Sequence, residues 1–251
     1  VQYYSGQEQW ASVSELLEKE IEKSPDNQDP QLALALTKIN EKDFTRAGQI
    51  IDQILAGQPD SIMALTAKLQ LYLEQAEHDK AIQLCNDLVA KHNSIPFYRL
   101  RCQVLISLKR TAEAQKDIET LRGMMAESDK QMADLTCAQL YSLAGEQKKA
   151  LEDVQSALKE GIDRPEVQRS AANVISSILQ RIDIKKDAAF GKQAEQILND
   201  LLNKDAQNVQ AVFTLAMLYH GQDYLAQAVK MYERTLALDP TQGYAANNLA
   251  W

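Results

Sequence analysis

Residues 209–240 read VQAVFTLAMLYHGQDYLAQAVKMYERTLALDP. In the first half, Val212, Leu215, Ala216 and Tyr219 recur at the spacing of one helix face. Gly221, Gln222 and Asp223 break that pattern. A second amphipathic run then places Ala228, Tyr232, Thr235 and Leu236 on one face, and Pro240 stops it. The stretch predicts two short helices joined by a tight turn. Neither helix can bury its apolar face alone.

The same pair can be followed upstream. A small residue opens the second helix each time, at Val13, Ala47, Ala81, Ala114, Ala150, Ala194 and Ala228. The intervals are 34, 34, 33, 36, 44 and 34 residues. Four residues further on sits a core candidate: Leu17, Ile51, Cys85, Ile118, Val154, Leu198 or Tyr232. Ahead of the small residue a large one recurs, at Tyr4, Tyr72, Leu105, Tyr141, Ile175 and Tyr219, with Lys38 the exception. Pro25, Pro59 and Pro240 close three of the units. An alanine is required where two helices cross closely, because a larger side chain would force them apart. The large residues beside it fill the space between neighbouring pairs.

This register resembles the tetratricopeptide repeat, a helix–turn–helix unit of 34 residues. Leu215-Ala216, Tyr219, Ala228, Tyr232 and Pro240 carry the resemblance best. Phe44 with Ala47 and Pro59, and Trp10 with Leu17 and Pro25, match the second halves of their units. The resemblance implies an all-α fold, an α-solenoid of stacked antiparallel helix pairs wound as a right-handed superhelix. It divides residues 1–251 into one array: 1–26 (partial), 27–60, 61–94, 95–127, 128–163, 164–208, 209–242 and 243–251 (partial). Residues 1–9 then read as the end of a first helix and its turn. With a repeat cut at each end and no polar cap, the sequence reads as a fragment of a longer array, or as one whose ends pack on something else. Val1 in place of Met fits a cut-out or processed chain.

Two places break the pattern. Unit 164–208 is about ten residues too long, and the excess falls near residues 181–190. Arg181, Lys185, Lys186 and Lys192 outweigh Asp183 and Asp187 there by a net charge of +2. The plainer expectation is a longer first helix with a solvated face, and the sharper one is a docking point for an acidic partner. Residues 91–96, KHNSIP, take the place of a closing proline and read as a wider turn between units.

Composition narrows the function. Among 251 residues, 45% are hydrophobic and 25% charged, with a net charge of −8. The apolar fraction suits a folded chain, and the acidic balance argues against nucleic acid as a partner. No apolar run is long enough to span a membrane, although this leaves a cytoplasmic and a periplasmic setting equally open. Cys85, Cys102 and Cys137 form no CxxC and no metal spacing, and read as buried thiols. His78, His92 and His220 fall near turns in different units, with no HxxxH pair among them. Gly6, Gly145 and Gly221 stand singly at helix ends, so no phosphate-binding loop exists. Glu15, Glu18, Glu20 and Glu22 read as a solvated helix face. No catalytic or metal site, cofactor or enzyme activity is expected from these residues.

Function then rests on surface shape. The resemblance implies a concave groove lined by the first helix of each pair, fit for a peptide or protein partner. The most inward position in this register holds Gln2, Leu36, Gln70, Gln103, Gln139, Asn173, Met217 and Trp251. Five of these are carboxamides, which can both donate to and accept from a peptide backbone without reading its side chains. Neighbouring groove positions hold Met63, Thr66, Arg99, Met132, Leu135, Arg169, Phe213 and Thr214. Met and Phe supply apolar contact there, and Arg supplies a hold on acidic groups. One subtype of the family grips C-terminal carboxylates through a Lys/Asn/Arg clamp. Thr66, Gln70, Leu100, Met132 and Thr136 occupy one matching window, and no such clamp is expected.

The reading is a protein–protein interaction scaffold. Its alternative is a regulatory, anchoring or spacer segment of a larger polypeptide. Residues 244–251, YAANNLAW, resemble repeats of long bacterial arrays, some of which serve envelope or exopolysaccharide secretion. Self-association through uncapped ends is a third expectation.

Overall fold

The computed structural model describes residues 6–25 and 27–249. Every regular element among them is a helix. They are α1 (Gly6–Lys23), α2 (Gln28–Asn40), α3 (Phe44–Gly57), α4 (Ile62–Glu74), α5 (His78–His92), α6 (Ile95–Ser107) and α7 (Thr111–Leu143). There follow α8 (Gln147–Gly161), α9 (Pro165–Leu179), α10 (Ala188–Lys204), α11 (Val209–Gly221), α12 (Leu225–Leu238) and α13 (Gly243–Leu249). The chain forms two compact units, Val1–Leu108 with α1–α6 and Lys109–Trp251 with α7–α13. Each is a stack of helical hairpins.

Local chemistry sets the helix starts. Asn27, Asp43, Asp187 and Asn208 each cap a helix, accepting from the N–H of Asp29, Arg46, Phe190 and Ala211. Pro96 and Pro165 sit in first turns, where the missing N–H costs nothing. Five turns of three residues share one geometry, with the central residue left-handed: Lys42, Ala76, Lys109, Gly145 and Asp223. In the first of these, Asp43 N–H reaches back to the Lys38 carbonyl at 2.9 Å and Lys42 N–H to that of Ile39 at 3.0 Å. This closes the helix in the Schellman manner.

The crossing alanines behave as their spacing predicts. Ala47, Ala81, Ala114, Ala150, Ala194 and Ala228 are all buried, as are Ile51, Cys85, Ile118, Val154, Leu198 and Tyr232. Cys85, Cys102 and Cys137 are free and buried. Val13 departs from the series: it is exposed, and its neighbour Ser14 is buried and donates to Glu41 at 3.0 Å. Tyr4, Gln2 and Trp251 lie outside the described residues.

In unit 1 one apolar cluster joins α2, α3 and α4, with Leu17 and Ile21 of α1 against it. A second joins α4, α5 and α6. In unit 2, α7 packs on α8 and α9, α9 on α11, and α11 on α10 and α12.

Three expectations need correction. Residues 6–9 belong to α1 rather than to a turn, and Gly6 starts that helix instead of ending one. Residues 93 and 94 make a turn narrower than the three- or four-residue links between other hairpins, because Asn93 adopts the left-handed conformation and reverses the chain at once. The excess in residues 164–208 is shared: the loop from 180 to 187 has eight residues where other hairpin turns have three, and α9 and α10 have 15 and 17 residues against 13 and 14 in α11 and α12. The loop is pinned by Ile184, which is buried. A Cβ at Gly221 would lie 2.7 Å from Ile184 Cγ2, and one at Gly191 would lie 3.4 Å from its Cδ1. Gly221 therefore leaves the hole that Ile184 fills, whereas a Cβ at Gly191 would first meet Gln222 Nε2, at 2.5 Å.

Units 95–127 and 128–163 are joined inside one continuous helix, with no separate linker. α7 bends there at the single non-helical residue Asp129 (φ −157°, ψ 93°). Asp129 restarts the helix by accepting from Met132 N–H at 3.0 Å. Arg164 grips the same carboxylate at 2.6 and 3.0 Å.

Candidate functional site

Four helix segments of unit 2 bring one face together: the second half of α7, then α9, α11 and α13. Between them lies an open cleft of about 580 Å³, within the range of ligand-binding pockets. Its first wall carries Gln139 of α7 with Asn173, Ser176 and Ser177 of α9, and Gln180 just beyond α9. The opposite side carries Gln210, Phe213 and Met217 of α11, then Gln242, Tyr244 and Asn248 at α13.

The floor is fixed by packing. Phe213 is buried against Tyr232, with ring centroids 6.2 Å apart. Burial pushes the Tyr232 hydroxyl up to about 12, so it stays a neutral phenol. The Ser176 hydroxyl donates to Met217 Sδ at 3.5 Å, which holds the thioether in place. Gln139 Nε2 donates to Ser177 Oγ at 3.2 Å, and Ser177 Oγ lies 3.2 Å from Ser142 Oγ. These bonds tie α7 to α9. The Gln139 carboxamide oxygen remains an acceptor towards the cleft. Asn173, Gln180, Gln242 and Asn248 make no side-chain hydrogen bond among the described residues. Tyr244 is 75% exposed.

Of the nine groove residues expected from the register, Gln139, Asn173, Phe213 and Met217 meet in this cleft. Met132 is half-buried near the α7 bend, and Arg169 is exposed on α9 outside the lining. Gln70 on α4 is half-buried, and Arg99 and Gln103 on α6 are exposed, all three in unit 1. Leu135 and Thr214 are corrected from groove to core: both are buried, and Thr214 donates to the Gln210 carbonyl at 2.7 Å. Ser176, Ser177, Gln180, Gln210, Gln242, Tyr244 and Asn248 were not singled out in the sequence. Counting whole turns from Asn173 to residues 176, 177 and 180, and back from Phe213 to residue 210, finds four of them. The residues of α13 carry no such signal.

A second polar centre lies between α7 and α8. The Arg122 guanidinium meets Asp134, Asp153 at 2.7 Å and Glu119 at 3.1 Å. Tyr141 donates to Glu119 at 2.6 Å, and Ser156 to Asp134 at 2.8 Å. Burial raises the Asp153 carboxyl above its ordinary range, opposed by its bonds to Arg122. Burial pushes the Cys137 thiol up to about 12, so it is no nucleophile. Arg122 precedes the bend of α7 and Asp134 follows it, so this centre holds a shape. Among the described residues, no three His, Cys, Asp or Glu stand close enough to bind a metal ion. No helix among them is long and apolar enough to cross a membrane.

Two of the four basic residues at the loop are paired, one of them to the turn after α11. Lys185 pairs with Asp223 at 2.6 Å, and Lys186 with Asp183 at 2.9 Å.

No family model matches the sequence, and no curated protein does. Solved structures do. A tetratricopeptide repeat protein from Parabacteroides merdae is 15% identical, with 96% of this chain and 91% of that one covered and a TM-score of 0.51. PilW, a type IV pilus biogenesis factor, is 14% identical over 87% of this chain and 96% of its own, with a TM-score of 0.48. The C-terminal part of a repeat-containing protein from Cytophaga hutchinsonii is 14% identical over 96% and 95%, with a TM-score of 0.44. The fold is that of tetratricopeptide repeat proteins.

Proposed function

We propose that this chain, built on the tetratricopeptide-repeat fold, is a protein-interaction scaffold, and that the unit 2 cleft holds an extended segment of a protein partner. One observation carries the reading. Four helix segments converge six carboxamides around a floor of Phe213 and Met217. Carboxamides satisfy both the N–H and C=O groups of an extended backbone, which a partner segment must otherwise leave unpaired. The net charge of −8 favours a protein over a nucleic acid.

The test is a photo-reactive phenylalanine analogue placed at Tyr244, with Lys148 on the exposed side of α8 as control. Crosslinks from position 244 to one contiguous partner segment, absent from position 148, are expected. Crosslinks from 148 alone would contradict the reading.

A second reading, self-association, is favoured by exposed apolar side chains on two helices. Leu16 on α1 is 67% exposed, and Leu225 and Val229 on α12 are 59% and 44% exposed. Sedimentation equilibrium should then show a concentration-dependent mass that Leu225→Lys with Val229→Lys abolishes. A monomer at every concentration removes this reading.

A further inference from the structure

Resting on the peptide-binding reading of the cleft, we infer that it selects uncharged segments bearing one large apolar or aromatic side chain, with Tyr244 setting that preference. The argument starts from what the lining lacks. A quarter of the chain is charged, so eleven lining residues would be expected to include about three charged ones. None of the eleven is an Asp, Glu, Lys or Arg. A charged side chain entering the cleft would lose water and meet no opposite charge, which disfavours it, less in an open cleft like this than in an enclosed site. A neutral backbone meets the reverse situation. Asn173, Gln180, Gln242 and Asn248 offer donors and acceptors that the fold does not use.

The anchor follows from the apolar groups. At the floor Phe213 is buried and Met217 half-buried, both held in place by packing, so an apolar side chain placed on Met217 loses little order and gains close contact. Tyr244 supplies the other side. Its ring is mostly in solvent on α13, so the fold does not account for an aromatic at that position. Stacking against a ligand ring or alkyl group would bury it, while its hydroxyl stayed in water. Salt should leave such binding unchanged, because no ion pair forms.

The test uses four blocked peptides, Ac-Gly-Ser-Gly-Xaa-Gly-Ser-Gly-NH2, with Xaa as Trp, Leu, Lys or Glu. The readout is the Met217 methyl resonance, assigned by its loss in Met217→Leu. The Trp and Leu peptides should shift it with at least about tenfold higher affinity than the Lys and Glu peptides, unchanged between low and high salt. Tyr244→Ser should weaken the Trp peptide at least about threefold, while the circular dichroism spectrum stays the same. Equal or tighter binding of a charged peptide at Met217 overturns the selectivity and leaves the cleft a peptide site. Undiminished Trp binding by Tyr244→Ser overturns the role of that residue. If no peptide moves Met217, the peptide-binding reading falls, and the selectivity with it.

Discussion

The two units use the same hairpin but differ in how their helices are joined. In unit 1, links between hairpins have four residues or, at 93–94, two, and the turns within the α2–α3 and α4–α5 hairpins have three. Unit 2 replaces one link with a single bent residue, Asp129, and one turn with an eight-residue loop. It also carries the ion-pair centre of Arg122 and the clamp between Arg164 and Asp129. The cleft lies among these irregular joints. A regular stack repeats one surface, whereas a bend and a loop let α7, α9 and α11 present different side chains to one space. Ion pairs tie α7 to α8 and to Arg164 outside the cleft lining, and neutral amides line the cleft.

The largest expected effect comes from removing the charge that holds the bend. Arg122→Ala leaves the buried Asp134 and the half-buried Asp153 without their cation, and should cost about 3 kcal/mol in chemical denaturation. Arg122→Met should cost less, because its stem still packs. If neither variant is less stable than the wild type, the ion pairs do not hold the bend.

Next is the crossing alanine. Ala150→Trp in unit 2 and Ala47→Trp in unit 1 should each destabilise by about 2 kcal/mol, since both sites are fully buried. Unchanged melting of either would break the shared register.

The loop gives a change of sign. Gly→Ala within a helix ordinarily stabilises by up to about 1 kcal/mol. Gly221→Ala should instead destabilise, because its Cβ meets Ile184 Cγ2. With Ile184→Ala already in place, the same change should stabilise. A double-mutant cycle without coupling would mean Ile184 does not fill that hole.

The smallest effect is electrostatic. Hydrogen bonds from Arg164, then from Met132 N–H, hold the Asp129 carboxyl at about 2, below its ordinary 3.8. A lowered folded-state value means that the clamp stabilises above the ordinary range, and that this is lost as pH falls towards 2. A carboxyl NMR titration should place Asp129 near 2, and Arg164→Gln should return it towards 3.8. An unchanged midpoint would mean the guanidinium is not bound there in solution.

The legible parts of the fold and the illegible ones have separate physical causes. Alanines at helix crossings are forced by steric contact, so their recurrence was visible. The loop was visible only as extra length, because its structure depends on which of Ile182 and Ile184 is buried and on Ile184 meeting Gly221 from a different helix. The bend at Asp129 has no proline or glycine to announce it. Lys42, Ala76, Lys109 and Asp223 take left-handed conformations that glycine would ordinarily mark. The site followed the same division. Gln139, Asn173, Phe213 and Met217 fell on one helical register and met in space. Tyr244 and Asn248 joined them only through the placement of α13, which packs on α12.

The row of amides in the sequence runs through both units, at Gln70, Gln103, Gln139 and Asn173. The cleft contains only the last two. The most direct test is to make the segment crosslinked from position 244 as a peptide and to measure its affinity by calorimetry for two double variants. Gln139→Glu with Asn173→Glu should weaken binding at least about tenfold, and Gln70→Glu with Gln103→Glu should leave it unchanged. Loss confined to the second pair, or equal loss in both, would contradict the assignment of binding to the unit 2 cleft.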